Sequence, residues 1–291
     1  MLLVHQKHPI GNELITSYMD RHYPVPAGFE DFVYVSQLLQ ARGMRTAFEA
    51  HRRARPRTMG TLYWQLNDTW PAISWSSRDY FGRWKALQFA VREAFAPLLI
   101  SPILREDSLE IWGVSDLDHP AEGTLHLELL RFDGTSLWQA PIPVQLPAGE
   151  SHPLWSRAVD ALLEGADSRN LVVVAELREG EDAEPVTRAI FYFNTPEELA
   201  LEAPAIRFRV EEEEGDSPPI LVLEAEKLAK DVYLRLEGAT FSDNFFDLLP
   251  GRSRTVEVRT ELTAQEIEAA LRIKTLADVP REGMEPEGQL F

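Results

Sequence analysis

Three of the chain's seven tryptophans, Trp64, Trp70 and Trp75, fall within the stretch GTLYWQLNDTWPAISWSS that runs from Gly60 to Ser77. Asn67 and Asp68 lie between them. Indoles crowded into a short loop either plug a core or offer flat apolar faces to a ligand. Beside such faces Asn67 and Asp68 are hydrogen-bonding candidates, and the competing reading of this pair is an Asx turn that starts the loop. Few other residues are arranged for chemistry. His5 and His8 stand at helical spacing without the carboxylate pattern of a metal site, so no metal is expected. Ser36, Ser74 and Ser77 lack a nucleophile-elbow context, and Gly60 and Gly82 are isolated rather than part of a phosphate-binding loop. The Ser242-Asp243-Asn244 turn reads as a cation cup or as a side-chain-bonded turn that sets local geometry. No cofactor is implied.

Composition narrows the class. The chain has 291 residues, 44% hydrophobic and 26% charged, as in globular proteins, with length for two or three domains. Zero cysteines exclude disulfides and thiolate metal sites and fit a reducing, cytoplasmic setting. No apolar run approaches the roughly 20 residues of a membrane span, and MLLVHQKHPIG is too short in apolar residues for a secretory core. The net charge of −18 is unevenly spread. Residues 1–100 hold 12 Lys/Arg against 8 Asp/Glu, and the remainder 17 against 39, which places a boundary near residue 100. Such an acidic remainder disfavours nucleic acid and anionic lipid as partners. The acidic run Glu211–Glu214 reads as a solvated loop or strand end.

The elements that would position the tryptophans are helix, helix, strand, helix. GNELITSYMDRHY and GFEDFVYVSQLLQARGMRTAFEAHRRAR read as helices, the second with Glu30 and Asp31 in its first turn and a possible break at Gly43. A strand is expected over residues 61–67, with Leu62 and Trp64 on one side and Tyr63 and Gln65 on the other. In DYFGRWKALQFAVREAFA, Trp84, Leu87, Val91 and Phe95 have helical spacing before Pro97. Beyond Pro97 the pattern is strands and turns: SLEIWGVSD, TLHLELLRF, SLWQAPIPVQL, NLVVVAELR and VTRAIFYFN. After the connection NTPEELALEAPA come IRFRVEE, PPILVLEAEKL, DVYLRLEG, FSDNFFDLLPG and RTVEVRT. SRAVDALLEG reads as a strand edge or a helical turn. These spacings fit two β-sandwiches, and the tail from about residue 280 is expected to fray.

A lone strand cannot satisfy its own main-chain groups, so residues 1–97 read as the end of a larger α/β unit and are expected to be only partly ordered alone. MGTLYWQLNDTWPAISWSSRDYFGRWKAL closely resembles the last strand and helix of the catalytic barrel of the β-mannosidases of glycoside hydrolase family 2. HQKHPIGNELI, FEDFVYVSQLLQARGMRTAFEAHRRARP, LAKDVYLRLEG and FSDNFFDLLPG carry the same resemblance across nearly the whole chain. It implies the fold class α/β plus all-β: the terminal unit of a (β/α)8 barrel over 1–97, then immunoglobulin-like sandwiches over 98–203 and 204–291.

The resemblance also implies an activity, retaining hydrolysis of non-reducing-end β-D-mannose, with a β-mannoside oligosaccharide or glycoside as the partner. Trp64 would lie against the mannose ring, with Asn67, Asp68 and Trp75 at the rim; otherwise Trp70 and Trp75 wedge barrel and sandwich together. Both catalytic glutamates would precede residue 1, in the missing N-terminal part of the enzyme. Glu13, Glu30, Asp31, Glu49, Asp68 and Asp79 match neither position, so the chain alone is expected to be inactive. Self-association into a homo-oligomer stays open. Two other readings are a non-catalytic β-sandwich protein for assembly or carbohydrate binding, and another family 2 glycosidase such as a β-galactosidase, against which WQLND and SWSS argue.

Overall fold

The computed structural model describes residues 2–180, 183–212, 215 and 217–280. Glu213, Glu214 and the tail beyond residue 280 lie outside the described residues. Four helices come first: α1 (Leu2–His5), α2 (Gly11–Met19), α3 (Phe29–Arg53) and α4 (Ala86–Ala94). Helix α3 carries Glu30 and Asp31 in its first turn and His51, Arg52 and Arg53 in its last, both matched to the helix dipole. It runs unbroken through Gly43, because one glycine costs only about 1 kcal/mol in a helix whose apolar face is buried.

The strand expected over residues 61–67 is not formed. The segment is irregular, and its one ladder contact among the described residues is a parallel bridge between Asn67 and Arg78. Strands persist where neighbours accept their main-chain hydrogen bonds, and all fourteen described strands belong to sheets elsewhere.

Those strands build two sandwiches. The first contains β1 (Leu98–Arg105), β2 (Ser108–Ser115), β3 (Ala121–Arg131), β4 (Ser136–Leu146), β5 (Ser151–Ala158), β6 (Leu171–Arg178) and β7 (Thr187–Tyr192). Its sheets have the orders β1-β2-β5 and β4-β3-β6-β7, all pairs antiparallel. Leu125, Leu127 and Leu129 pair with Leu177, Ala175 and Val173, and this face meets Ile100, Leu109 and Ile111 of the other sheet. β1 was not anticipated, since Pro102 interrupts it; at a sheet edge a proline removes no ladder bond that matters. SRAVDALLEG turns out to be both alternatives in succession, the end of β5 and the short helix α5 (Val159–Leu163).

The second sandwich holds β8 (Ile206–Glu211), β9 (Ile220–Ala225), β10 (Ala229–Arg235), β11 (Thr240–Phe241), β12 (Phe246–Leu248), β13 (Arg254–Arg259) and β14 (Arg272–Lys274), with helix α6 (Ala264–Ala270) before the last strand. The sheet orders are β11-β13-β9-β8 and β12-β10-β14. Thr263 and Glu266 form a reciprocal capping box at the start of α6. Thr263→Ala is expected to lower stability by about 1 kcal/mol in urea denaturation; an unchanged midpoint would show that the cap does not contribute.

The first hundred residues are not loosely attached. Tyr34 stacks on Tyr233 and Phe245 of the second sandwich at 5.9 and 6.4 Å, and Met19, Tyr23, Val35 and Leu38 join Leu276 and Val279 in one apolar cluster. At the C-terminal end of α3, Arg52 donates to the carbonyls of Ala94 and Ala96, at the end of α4, at 2.7 Å, and just beyond the helix Arg55 reaches the first sandwich, donating to Ser115 O at 2.7 Å. Both arginines also pair with Asp116. The sandwiches meet over the outer face of β6, where Val172 and Val174 pack with Leu228 and Leu249. Beside them Arg252 reaches from the second sandwich to Glu176, at 2.9 Å, and to Glu128. Burial pushes the Glu176 carboxyl up, but Arg178, Arg188 and Arg252 together hold it below its ordinary value.

Candidate functional site

The tryptophan segment folds as an outgoing leg, a loop and a return leg. Ser77 N–H donates to Gln65 O at 3.1 Å, Arg78 N–H to Leu66 O at 2.8 Å, and Asp68 N–H to Arg78 O at 3.0 Å. Lys85 N–H then donates to Ser77 O at 2.9 Å, tying the return leg to the start of α4. Tyr63 faces inward: its ring lies 5.9 Å from Phe48, and its hydroxyl is 2.9 Å from Ser77 Oγ. Trp64 faces outward and is 74% exposed, so it fills no core in the described chain.

Trp75 is 56% exposed and Trp70 45%, so neither is buried within the described chain. Trp70 instead meets the N-terminal segment. Its indole N–H donates to His5 O at 3.2 Å, its ring lies 5.9 Å from Lys7 Nζ, and the His5 ring contacts Pro71 O. His8 accepts from the Ile10 N–H at 3.4 Å, so the two histidines serve separate local contacts. Asn67 is exposed, with its amide on Asp68 O at 3.2 Å.

Asp68 is buried, and both its carboxylate oxygens are taken. Lys85 Nζ donates to Oδ2 at 2.7 Å, and the Ser74 hydroxyl donates to Oδ1. Lys85 also donates to Ser76 Oγ at 2.9 Å and to Ser74 Oγ at 3.2 Å, which uses all three of its ammonium hydrogens. Ser76 in turn donates to Arg78 O at 3.0 Å. Trp64, Asn67 and Trp75 therefore stand exposed on a frame whose underside is this buried ionic network.

Sequence reasoning missed Lys85 and the two serines. A signal existed: Lys85 occupies the N-cap of α4 without any side-chain cap, a cation at the positive end of a helix. A residue that breaks a local rule is serving something beyond its own helix. The Ser242-Asp243-Asn244 turn is a side-chain-bonded corner. Asp243 pairs with Arg92 of α4 and Arg254 of β13, while Asn244 bridges both main-chain groups of Leu234 at 2.8 and 2.9 Å. A cavity of about 220 Å³ opens near the end of α3, lined by His51, Arg52, Arg55, Phe95 and Asp116 among others. None of the four candidate residues lines it, and the chemistry of the tryptophan loop is that of an open surface.

Other carboxylates near the segment are committed to ion pairs. Glu49 holds Arg45 at 2.7 Å and accepts from Ser101, Glu93 also binds Arg45 at 2.7 Å, and Asp79 holds Arg83 at 2.7 Å. Asp31 pairs with Lys274 and Glu30 with Arg235. Among the described residues no group of three or more His, Asp or Glu could hold a metal ion, and no helix is long and apolar enough to cross a membrane.

Comparison with known proteins adds independent findings. Residues 107–196 match the mannosidase Ig/CBM-like domain, and residues 201–279 match an Ig-fold domain of mannosidases. The chain is 37% identical over 178 residues to the β-mannosidase of Capra hircus, which covers 56% of this chain and 20% of that protein. The Mus musculus β-mannosidase is 33% identical over 219 residues, 67% of this chain and 22% of that protein. β-Mannosidase A of Aspergillus clavatus is 27% identical over 267 residues, 83% of this chain and 28% of that protein. The chain thus spans between a fifth and little more than a quarter of these relatives' length. The crystal structure of the Dictyoglomus thermophilum β-D-mannosidase superposes with a TM-score of 0.85 at 26% identity, covering 94% of this chain and 33% of that one. An exo-chitosanase of Amycolatopsis orientalis shares the fold at 18% identity and a TM-score of 0.70, over 91% of this chain and 36% of that one. With two mannosidase-type Ig domains in tandem and the same architecture as a β-mannosidase of known structure, the chain is similar to the C-terminal portion of the β-mannosidases.

Proposed function

We propose that this chain works as the C-terminal part of a retaining exo-β-mannosidase that removes non-reducing-end β-D-mannose. The observation that carries this reading is the likeness to a β-mannosidase over 94% of the chain, which extends it well before the first sandwich. In this reading residues 1–97 are the last unit of the catalytic (β/α)8 barrel, followed by sandwiches at 98–203 and 204–291. Leu62, Trp64, Leu66 and Phe81 are all more than half exposed here, and an apolar surface of that kind calls for cover by further chain. With neighbouring strands beside it, the 61–67 segment would find main-chain partners and become the eighth strand. Trp64 then forms the floor for the mannose ring, Asn67 and Trp75 stand at its rim, and Asp68 holds the loop rather than the sugar.

Retaining hydrolysis needs two carboxylates roughly 5 Å apart, one as nucleophile and one as acid/base. The carboxylates around the tryptophan loop are locked in ion pairs with Lys or Arg, which leaves none as a proton donor facing the indoles. The 291-residue chain is therefore expected to show no turnover of an aryl β-mannoside, while the reading frame extended upstream of Met1 supplies both acids and is active. Turnover by the purified chain that survives repurification and disappears in Asp68→Asn would overturn this assignment.

A further inference from the structure

We infer that Lys85 is a positioning residue, which through its buried pair with Asp68 sets the geometry of the loop that presents Trp64, Asn67 and Trp75; this rests on the mannosidase reading above. The pair spans the base of the loop. Asp68 begins it, Ser74 and Ser76 lie on its return side, and Lys85 gathers all three from the foot of α4. Lys85 and Asp68 side chains are 9% and 5% exposed, so water does not compete for these bonds. The consequence is rigidity. Ser74 and Ser76 flank Trp75 directly, and both hydroxyls have fixed partners, so the Trp75 main chain has little room to move. Through the bonds from Asp68 N–H to Arg78 O and from Arg78 N–H to Leu66 O, the same frame fixes the outgoing leg two residues from Trp64.

A buried ion pair is a poor device for stability, since an apolar replacement of similar volume is often neutral or better. Its use in this place is directional: three donors and two acceptors admit one arrangement of the loop, where apolar packing would admit several. The cation at the wrong end of α4 is the local cost of that arrangement. Both side chains are buried beneath the loop, so the effect of the pair on hydrolysis passes through the tryptophans.

The test uses the enzyme expressed with its upstream sequence, in two variants. The double substitution Asp68→Asn with Lys85→Met removes both charges, keeps the acceptor for Ser74 and conserves volume. Trp64→Ala tests the underlying reading. The expected result for the double variant is a Tm within about 4 °C of the parent and a kcat/KM for an aryl β-mannoside about 10- to 100-fold lower. Stability and activity then separate, which a purely structural pair would not produce. Parental kcat/KM in the double variant, with activity lost in Trp64→Ala, overturns the role of Lys85 and leaves the site reading standing. Parental kcat/KM in Trp64→Ala removes the indole from the substrate site, and the positioning role of Lys85 with it; no turnover of the aryl β-mannoside by the parent overturns the mannosidase reading itself.

Discussion

Trp64→Ala in the enzyme that carries this chain is expected to lower kcat/KM for a β-mannoside by roughly 5- to 200-fold. The figure follows from about 1–3 kcal/mol for a ring stacked on an indole, converted at about 1.4 kcal/mol per decade. Part of the loss should appear in kcat. The sugar ring flattens as the oxocarbenium-like transition state forms, and an indole floor fits that shape while excluding water beside it. Folding should be little affected, because Trp64 is mostly exposed and Tyr63, not Trp64, fills the space against Phe48. Trp75→Ala is the comparison. With more than half of its surface exposed, it should change stability by no more than about 0.5 kcal/mol, so any loss it causes reports on the sugar. Kinetics of Trp64→Ala within twofold of the parent would remove the indole from the substrate site.

Asp231→Asn is expected to stabilise the chain above pH 6 and to abolish part of its pH dependence between about 4 and 6. Asp231 lies where the helical segment and both sandwiches meet. Tyr34 O–H donates to its carbonyl at 2.6 Å, and Asp247 accepts from its N–H at 2.8 Å. Asp247 also accepts from the Tyr192 hydroxyl at 2.7 Å. Lys230 Nζ is 3.4 Å from both carboxyl groups, and Tyr23 and Arg42 complete the surroundings. Burial pushes the Asp231 carboxyl up to about 6, Lys230 and Arg42 opposing the rise and Asp247 adding to it.

The direction of the effect follows from where the proton sits. Below about pH 4 the group is neutral in the folded and unfolded chain alike. Between 4 and 6 the unfolded chain releases the proton while the folded chain keeps it, so stability falls as pH rises; above 6 the buried charge is a constant cost. A rise of about two units corresponds to about 3 kcal/mol at most. Asparagine cannot ionise, and it tolerates the left-handed backbone at this position, where φ is 56°. Urea denaturation from pH 4 to 8 reads the difference. Curves for parent and variant that stay parallel across that range would show that Asp231 does not carry the effect. Glu176, held low by three arginines, acts in the opposite sense and only in acid.

The sandwiches were legible in the sequence because their signals are local. Leu125, Leu127 and Leu129 alternate with polar neighbours, and Asp133-Gly134 marks the turn into β4; both follow from a two-residue side-chain period and a left-handed glycine, here at φ 93°. The family was legible because motifs as long as the one around Trp64 seldom recur by chance. The alternation in this segment put Tyr63 and Trp64 on opposite sides; which side faces outward came only from the packing of Tyr63 against Phe48. What tertiary structure decided are matters that depend on neighbours distant in the chain. Residues 61–67 carry the pattern of a strand and do not form one, since a strand is made by the hydrogen bonds of its neighbours and not by its own residues. β6 is buried on both faces because the second sandwich covers the outer one, and there Arg252, 76 residues later in the chain, joins Arg178 and Arg188 in holding the Glu176 charge. Asp68 looks like a residue for a ligand, and its partner Lys85, 17 residues on, looks like a misplaced helix cap; only the fold brings them within 2.7 Å and turns two ambiguous residues into one frame. Side-chain type and spacing limit what each residue can do, and the free energy of burial, set by which distant groups share the same small volume, selects what it does.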